Sequence, residues 1–360
     1  MAVTLRDVAR AAGVSAATAS RALSAPDLVA PERREAVRRV ARELGYRPNR
    51  AARELITGRS GYLCLVVPDL ENPFFAAVAK AVQSRARASG HAVVVADAEE
   101  DPLLEAELVG QLGAQADGVL LCSPRMSDDD LASVAAGGRP VLLVNREGAG
   151  LPSVAVDNRG GVRQAVRHLH ALGHRRVAYA GGPAGSWSDA RRRDGLEDLD
   201  LDVELVDLGA HPPAFAGGVG AADLVVASGA TAVLAHNDLM ALGIVDRLRA
   251  RGLRVPDDVS VVGFDDVPVA TLVTPALTTV AMPLARLGRT AVDLLLGPHT
   301  PDAPTTVLPV ELVVRGTTAP PPHPPEPRCP CPACPPPRGR TASRTACPTG
   351  CRARPWTPTR

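Results

Sequence analysis

The sequence predicts a protein with three parts: a small all-α module, a larger α/β body whose parallel sheets form two lobes, and a disordered tail. Three short helical segments fall within residues 1–47, and Val-rich apolar runs alternate with amphipathic stretches across residues 61–318. Apolar runs that alternate with helices are typical of parallel sheets covered by helices on both faces. The chain of 360 residues is long enough for two or three domains.

Charge is distributed unevenly along the chain. Residues 1–60 contain 12 arginines and 6 acidic residues, whereas residues 61–318 contain 21 basic and 32 acidic residues. Residues 319–360 are basic again, with 7 arginines and 1 acidic residue. A basic N-terminal module on an acidic body is typical of a protein in which one small part binds a polyanion.

Several features indicate a cytoplasmic protein that does not enter a membrane. The first 25 residues are polar where a signal peptide needs its apolar run, and no 18-residue window lacks both charges and helix breakers. In the body only Cys64 and Cys122 are present, each within an apolar run, which suits a reducing compartment.

The first two predicted helices are separated by a turn of three residues. Thr4 followed by Asp7 is a helix-start pattern, and apolar residues then repeat at helical spacing until Gly13. A second helix is predicted over residues 15–23, and a third, with proline at its first position, over residues 31–44. This arrangement predicts a helix-turn-helix headpiece, whose second helix can enter the major groove of DNA.

The segments TLRDVARAAGVSAATASRAL and YRPNRAAREL resemble the headpiece of the LacI/GalR (lactose/galactose repressor) family of bacterial transcription regulators. The resemblance implies that the second helix reads bases through Ala16, Ala17 and Arg21. Arginine can donate two hydrogen bonds to guanine, and small methyl-bearing side chains can contact thymine. The remaining residues that we assign to the DNA-binding surface of the headpiece, mainly as phosphate contacts, are Thr4, Ser15, Thr18, Ser20 and Asn49.

Residues 48–55 form a short segment that begins with proline and contains one large apolar residue, Leu55, among arginines. An apolar wedge with flanking arginines is what kinking of the minor groove requires. The resemblance implies a hinge helix that folds on the operator, in which Arg50 and Ala52 also contact DNA. The alternative is that residues 48–60 are an exposed linker with a single helical turn.

Two series of strands and helices follow. The predicted strands are residues 62–67, 91–96, 118–122 and 141–145 in the first series, and 177–181, 203–206, 232–236 and 260–264 in the second. The predicted helices are residues 73–89 and 103–114, then 161–172, 218–227 and 239–251. Open parallel sheets bind ligands at the carboxyl ends of their strands, so the residues after each strand are candidates for one cleft between the lobes.

The segments PDLENPFF, LHALGHRRVAYAGGP, AHNDLMALG, RVPDDVSVVGFDD and LTTV resemble the same family, whose body is a two-lobed domain like that of periplasmic binding proteins. The resemblance covers about residues 3–318. It implies effector contacts at Phe74, Phe75, Asn145, Asn237 and Asp265, and Arg146 directly follows one of these positions. An arginine near Arg191 belongs to the same set, although three consecutive arginines leave its register open. Trp187 is a candidate for stacking on a ligand ring.

The tail, residues 319–360, contains 14 of the 34 prolines and almost no aliphatic residues, which predicts disorder. Five cysteines between Cys329 and Cys351 raise a zinc hypothesis, since thiolates at such spacing can bind zinc. Against it, the intervening prolines prevent a regular scaffold and no matching histidine pattern is present. We therefore predict no metal site and no cofactor.

Together these patterns predict a repressor, not an enzyme, that binds a palindromic operator in double-stranded DNA as a homodimer. We expect a small-molecule effector, a sugar, to bind between the lobes and change operator affinity, and the bound protein to be associated with the nucleoid.

A transporter's solute-binding protein shares the two lobes but needs a signal peptide and no basic headpiece. A sugar-processing enzyme needs a base or nucleophile in the cleft, whereas every candidate there is explained by hydrogen bonding. An activator role stays open.

Overall fold

The computed structural model describes residues 3–24, 26–46, 59–298 and 305–322. Asn49, Arg50, Ala52 and Leu55 of the predicted hinge lie outside these residues, as does the tail beyond residue 322 with its cysteines. The hinge helix and the absence of a zinc site in the tail therefore stay predictions. Among the described residues, no helix combines the length and the apolar character needed to cross a bilayer.

Three helices form the headpiece: α1 (Leu5–Ala11), α2 (Ala16–Ser24) and α3 (Pro31–Glu43), with a 3-10 turn at Pro26–Leu28. Thr4 and Asp7 cap α1 reciprocally, each side chain bonding the other residue's backbone N–H. The Ser15 Oγ accepts a hydrogen bond from the Thr18 backbone N–H (3.1 Å) at the start of α2. Because α1 ends at Ala11 and α2 begins at Ala16, the two helices are separated by the predicted short turn, and the helix-turn-helix prediction is confirmed.

The first lobe of the body contains a six-stranded sheet with the strand order β11-β5-β4-β3-β1-β2. Its strands are β1 (Tyr62–Val67), β2 (Ala92–Asp97), β3 (Gly118–Cys122), β4 (Val141–Val144), β5 (Ser153–Val156) and β11 (Thr306–Leu308). All its pairings are parallel. The helices of this lobe are α4 (Pro73–Ala88), α5 (Pro102–Gly113), α6 (Asp128–Ala136) and α12 (Leu284–Leu296).

The second lobe repeats the pattern with the strand order β12-β10-β9-β8-β6-β7. Its strands are β6 (Arg176–Gly181), β7 (Glu204–Ala210), β8 (Ala232–Ala235), β9 (Ser260–Asp265), β10 (Thr278–Ala281) and β12 (Glu311–Val313). Its helices are α7 (Asn158–Leu172), α8 (Trp187–Glu197), α9 (Phe215–Ser228), α10 (Asp238–Ala250) and α11 (Val269–Leu272). Only β12 is antiparallel to its neighbour, so the prediction of two lobes with parallel sheets is confirmed.

The chain crosses between the lobes three times. It leaves the first lobe after β5, returns to it between β10 and α12, and crosses again between β11 and β12. The last helix and the last two strands therefore complete both lobes, an exchange that the two consecutive series of the sequence did not indicate. These crossings place the carboxyl ends of the two parallel sheets opposite one another.

The chain enters the first lobe at Ser60 and Gly61, where one carboxylate holds it. Asp117, just before β3, accepts hydrogen bonds from the backbone N–H of Ser60 (2.7 Å) and of Gly61 (2.8 Å), and from the Ser60 hydroxyl (3.1 Å). The His91 Nε2 lies 3.5 Å from the same carboxylate. The segment that connects the headpiece to β1 is thus tied to the edge of β3.

Replacing this carboxylate should loosen the start of β1. We expect Asp117→Ala to lower the free energy of unfolding by about 2 kcal/mol, since partly buried N–H groups lose their acceptor. Asp117→Asn keeps one acceptor oxygen and should lose about half as much. Urea denaturation followed by circular dichroism measures both. An Asp117→Ala variant as stable as the unmodified chain would contradict the proposed anchor.

Candidate functional site

A cavity lies between the lobes at the carboxyl ends of both sheets. About 360 Å³ of space lies between its lining atoms, part of it continuous with open solvent. Its lining residues are Asn72, Phe74, Phe75, Glu100, Ser123, Arg125 and Asn145 from the first lobe, and Ser188, Arg192, Pro213, His236, Asn237 and Asp265 from the second. The mixture of aromatic and polar groups at the ends of parallel strands is typical of a small-molecule site.

The strand ends explain why these residues meet. Ser123 directly follows β3 and Asn145 directly follows β4, while His236 follows β8 and Asp265 ends β9. Parallel strands that end at the same edge bring their next residues together. Of the residues predicted to contact an effector, the structure brings five together here: Phe74, Phe75, Asn145, Asn237 and Asp265.

Four lining residues adopt left-handed backbone conformations. Their φ angles are 59° at Glu100, 49° at Ser123, 57° at Asn145 and 114° at Asp265. A non-glycine residue in such a region costs roughly 1–3 kcal/mol, and strain of this kind concentrates at ligand-binding sites. The backbone strain therefore distinguishes this cavity from an ordinary gap in packing.

One wall of the cavity is aromatic. The Asn72 side chain caps α4 by accepting a hydrogen bond from the Phe74 backbone N–H (3.0 Å), and Pro73 occupies the first helical position. The rings of Phe74 and Phe75 meet edge to face, with centroids 4.9 Å apart. Both rings are almost fully buried, so this wall offers an apolar surface in a largely polar cavity.

The structure places Arg192, not Arg191, in the cavity. The Arg192 Nε donates to Asn158 Oδ1 (3.0 Å), another of its nitrogens donates to the backbone oxygen of His236, and its guanidinium lies 3.6 Å from the centre of the Phe264 ring. With these contacts made, the Arg192 Nη2 faces the carboxyl group of Asp265.

Two candidates on α8 do not line the cavity. Arg191 pairs with Asp194 (3.1 Å) and lies over the ring of Trp187, with 5.7 Å between guanidinium carbon and ring centre. Adjacent residues of a helix point about 100° apart, so the face that carries Arg192 into the cavity turns Arg191 away from it. The arginine candidate is therefore corrected by one residue, and the stacking partner of Trp187 is this arginine.

Arg146 is also absent from the lining, although it is buried. Its Nη1 donates to the backbone oxygens of Pro124 (2.8 Å) and Met126 (2.6 Å), and its Nη2 donates to Asp128 (2.9 Å). Arg146 thus holds the loop that follows β3 in place, which makes it a structural residue of the first lobe.

The second lobe contains two buried carboxyl groups with raised pKa values, Asp265 in the cavity lining and Asp238 outside it. Burial raises the pKa of Asp265 well above its ordinary value, because Arg192 offsets only part of the desolvation and Asp238 adds to it. Burial also raises the pKa of Asp238, despite hydrogen bonds from the Thr279 hydroxyl and the Val267 backbone N–H. The Asp265 carboxyl is 4.0 Å from the Arg192 Nη2, too far for a hydrogen bond. Asp265 and Arg192 can therefore each form a further hydrogen bond with a ligand.

A third carboxyl group of the second lobe, that of Asp189, accepts several hydrogen bonds beside His236. Asp189 accepts hydrogen bonds from the Tyr179 hydroxyl (2.7 Å), the Gly182 backbone N–H (2.7 Å), His236 Nδ1 (3.0 Å) and Arg193 Nε (2.7 Å). Burial acts to raise the pKa of Asp189, but the hydrogen bonds, that from His236 first, outweigh it and hold the pKa below its usual range. Asp189 is therefore ionised at neutral pH.

Burial lowers the pKa of His236 to about 4, and the positive charge of Arg192 acts in the same direction. In the unfolded chain the histidine regains a pKa near its ordinary value of 6.5. As pH falls from 6.5 to 4, the unfolded state takes up a proton at this histidine and the folded state does not. The free energy of unfolding therefore decreases over this pH range.

The pH dependence of unfolding tests this environment. We expect the unmodified chain to lose roughly 3 kcal/mol of stability between pH 6.5 and pH 4 relative to His236→Leu, since one pKa unit corresponds to about 1.4 kcal/mol. The difference between the two urea-denaturation series removes the contribution of Asp238 and Asp265, whose raised pKa values act in the opposite direction. Parallel stability profiles for the two proteins would show that His236 titrates normally.

The headpiece presents a separate polar surface on α2. Ala16, Ala17 and Arg21 are exposed, whereas Ala19 and Ala22 on the opposite face are fully buried against α1 and α3. Thr4 and Ser15 are exposed, and Thr18 and Ser20 are half-buried at the edges of this surface. The helix thus presents the residues expected to read bases.

Comparisons with known proteins match both the headpiece and the body of the chain. Residues 4–49 match the family model of bacterial regulatory proteins, lacI family, and residues 166–318 match the periplasmic binding protein-like domain. The HTH-type transcriptional regulator DegA of Bacillus subtilis (strain 168) is 31% identical over 335 residues, which cover 89% of this chain and 99% of DegA. The chain belongs to the LacI family of bacterial transcription regulators.

Two solved structures of this LacI-family fold each cover nearly nine-tenths of the chain. The lac repressor dimer bound to operator and the anti-inducer ONPF has a TM-score of 0.79 and 32% identity, covering 89% of this chain and all of that one. The complex of the regulator CelR with cellobiose has a TM-score of 0.63 and 33% identity, covering 88% and 99%. The matching relatives are DNA-binding regulators and not enzymes, and none supports a transport protein.

Several residues that line this LacI-family cavity were not among the predicted effector contacts. Glu100 and Arg125 form a bidentate pair, with distances of 2.6 and 2.9 Å, that joins the loops after β2 and β3. Ser123 and Ser188 contribute hydroxyls, and His236 was assigned to the end of a strand. The signal that could have found Ser123 and His236 is the same strand-end rule, applied one residue earlier or later.

Proposed function

We propose that the chain is a repressor that binds a palindromic operator as a homodimer and changes its affinity when a sugar occupies the interlobe cavity. The observation that carries this proposal is a cavity whose walls come from both lobes, with an aromatic pair on one side and Arg192 and Asp265 on the other. The relative with bound cellobiose and the operator-bound lac repressor dimer support the ligand class and the assembly.

A ligand that contacts both walls favours the closed arrangement of the lobes, because it binds that arrangement more tightly. The three crossings let the lobes change their angle, and the anchor at Asp117 ties the first lobe to the chain that leads to the headpiece. Movement of the first lobes in a dimer then alters the separation of the two headpieces. We assign residues 1–47 to the headpiece, 48–60 to the hinge and 61–318 to the effector-binding body.

For DNA, we propose that Ala16, Ala17 and Arg21 read base edges and that the hydroxyl residues around them hold phosphates. Exposure of the first three on one face of α2 supports this assignment. Asn49, Arg50, Ala52 and Leu55 enter the proposal through the family resemblance of the hinge. We place the protein in the cytoplasm, on the nucleoid when operator is bound, because its target is chromosomal DNA.

Base reading by Arg21 can be tested on an operator selected in vitro from a random duplex library. We expect Arg21→Ala to weaken operator binding by about 10- to 100-fold, the loss of one bidentate base contact, while binding to random DNA changes little. Arg39→Ala, which removes an exposed arginine on α3, is the control and should keep the ratio of the two affinities. Fluorescence anisotropy at one fixed salt concentration measures both. Equal losses on both duplexes would exclude base reading.

The sugar site can be tested by thermal denaturation of the full chain with D-glucose, D-ribose and cellobiose. A sugar at a hundred times its Kd should raise the Tm by about 5 to 10 °C. Asp265→Ala should abolish the shift and the effect of the sugar on operator affinity, whereas Asp246→Ala, which removes an exposed carboxylate on α10, should keep both. A Tm shift retained by Asp265→Ala would place the ligand elsewhere, and the absence of any shift in the unmodified chain would reject the sugar assignment.

A further inference from the structure

His236 is a cavity residue whose ring is fixed from behind. It follows β8, is only 6% exposed, and its backbone oxygen accepts a hydrogen bond from Arg192. Its Nδ1 lies 3.0 Å from the Asp189 carboxylate. The protein therefore binds one ring nitrogen, Nδ1, and the other is Nε2.

Asp189 decides which nitrogen carries the proton. Three other donors, Tyr179, Gly182 and Arg193, converge on the same carboxylate and hold it ionised. An ionised carboxylate can only accept hydrogen bonds, so the contact requires a proton on the His236 Nδ1. The Arg192 Nη1 lies 3.5 Å from that nitrogen, at the limit of hydrogen-bond distance, so the Asp189 oxygen at 3.0 Å is the stronger partner.

The surroundings of the ring leave Nε2 for the cavity. A Cβ at Gly182 would lie 2.5 Å from both Nδ1 and Cε1 of His236, so only glycine lets the ring sit against this loop. Within residues 59–298 and 305–322, the His236 Nε2 has no hydrogen-bond partner, and it belongs to a residue that lines the cavity. Because burial lowers the pKa of His236 to about 4, the ring is neutral at physiological pH and Nε2 keeps its lone pair.

We propose that His236 is a specificity-determining residue, whose Nε2 accepts a hydrogen bond from one hydroxyl of the effector. The nearby arginine donates, so a hydroxyl, which can both donate and accept, is the group that matches this corner of the cavity. Hydrogen, fluorine or a methyl ether at the same ligand position cannot donate to Nε2 and is rejected. The inference rests on the proposed function, since it requires that a polyhydroxylated ligand binds here.

The test uses isothermal titration of the full chain with D-glucose, D-ribose and cellobiose and with their monodeoxy and monofluoro analogues. For the unmodified chain, we expect one position at which the deoxy and the fluoro analogue both bind about 3- to 10-fold more weakly than the parent sugar. In His236→Leu, which removes the acceptor at similar volume, that penalty should disappear. Asp189 keeps three donors in this variant, so no buried charge is left unpaired.

His168→Leu is the matched control. His168 lies on α7 and bonds the Thr318 hydroxyl (2.9 Å), outside the cavity lining, so its loss should leave the discrimination between analogues unchanged. An equal penalty in His236→Leu, or no such position in the unmodified chain, would overturn the inference while leaving the sugar site intact. If none of the three sugars binds the unmodified chain, the sugar assignment fails and the inference fails with it.

The tautomer is a second readout that needs no ligand. Nitrogen-15 NMR of the histidine side chains at pH 7 should show a protonated Nδ1 and an unprotonated Nε2 for His236, assigned by the signals missing in His236→Leu. A proton on Nε2, or a fully protonated ring, would overturn the inference even if sugars bind. If His236 only supported the fold, His236→Leu would still discriminate between the parent sugar and its analogues.

Discussion

The chain crosses between its lobes three times, and these crossings determine how the two sheets are arranged around the cavity. They oblige both sheets to present their carboxyl ends to one cavity, since neither lobe is completed by a continuous stretch of sequence. The last helix of the body, α12, packs on the first lobe after the second lobe has been built. A ligand that changes the angle between the lobes therefore acts on three connections at once, and one of the lobes it moves carries the anchor of the headpiece at Asp117.

Polar groups in the cavity are held in position without being fully used. Arg192 is fixed by Asn158, by a backbone oxygen and by the face of Phe264, yet remains 4.0 Å from Asp265. Groups oriented in advance bind a ligand at less cost in conformational entropy, and incompletely paired buried groups gain from a ligand that satisfies them. The left-handed backbone at Asp265 is consistent with this, because the strain is maintained by the surrounding fold and not relieved by a local partner.

Much of this architecture follows from local sequence patterns. The helix-start residues Thr4 and Ser15 and the alternation of apolar runs with helices are signals within a few residues, and the structure has those elements. Strand ends were less certain: β7 extends to Ala210, four residues past its predicted end, and β5 was not predicted. The exchange of α12 into the first lobe depends on packing between distant segments, which no local pattern contains.

The candidate site shows the same limit at the level of single side chains. The strand-end rule found Asn145 and Asp265, because their positions depend only on where a strand stops. The choice between Arg191 and Arg192 depends on which face of α8 meets the ring of Phe264, a residue more than seventy positions away in the sequence. Both arginines satisfy the helical pattern equally, and only the tertiary contact distinguishes them. Sequence reasoning can therefore locate a ligand site at the edge of a parallel sheet, but the side chains supplied by a covering helix are determined by its rotation against the other elements.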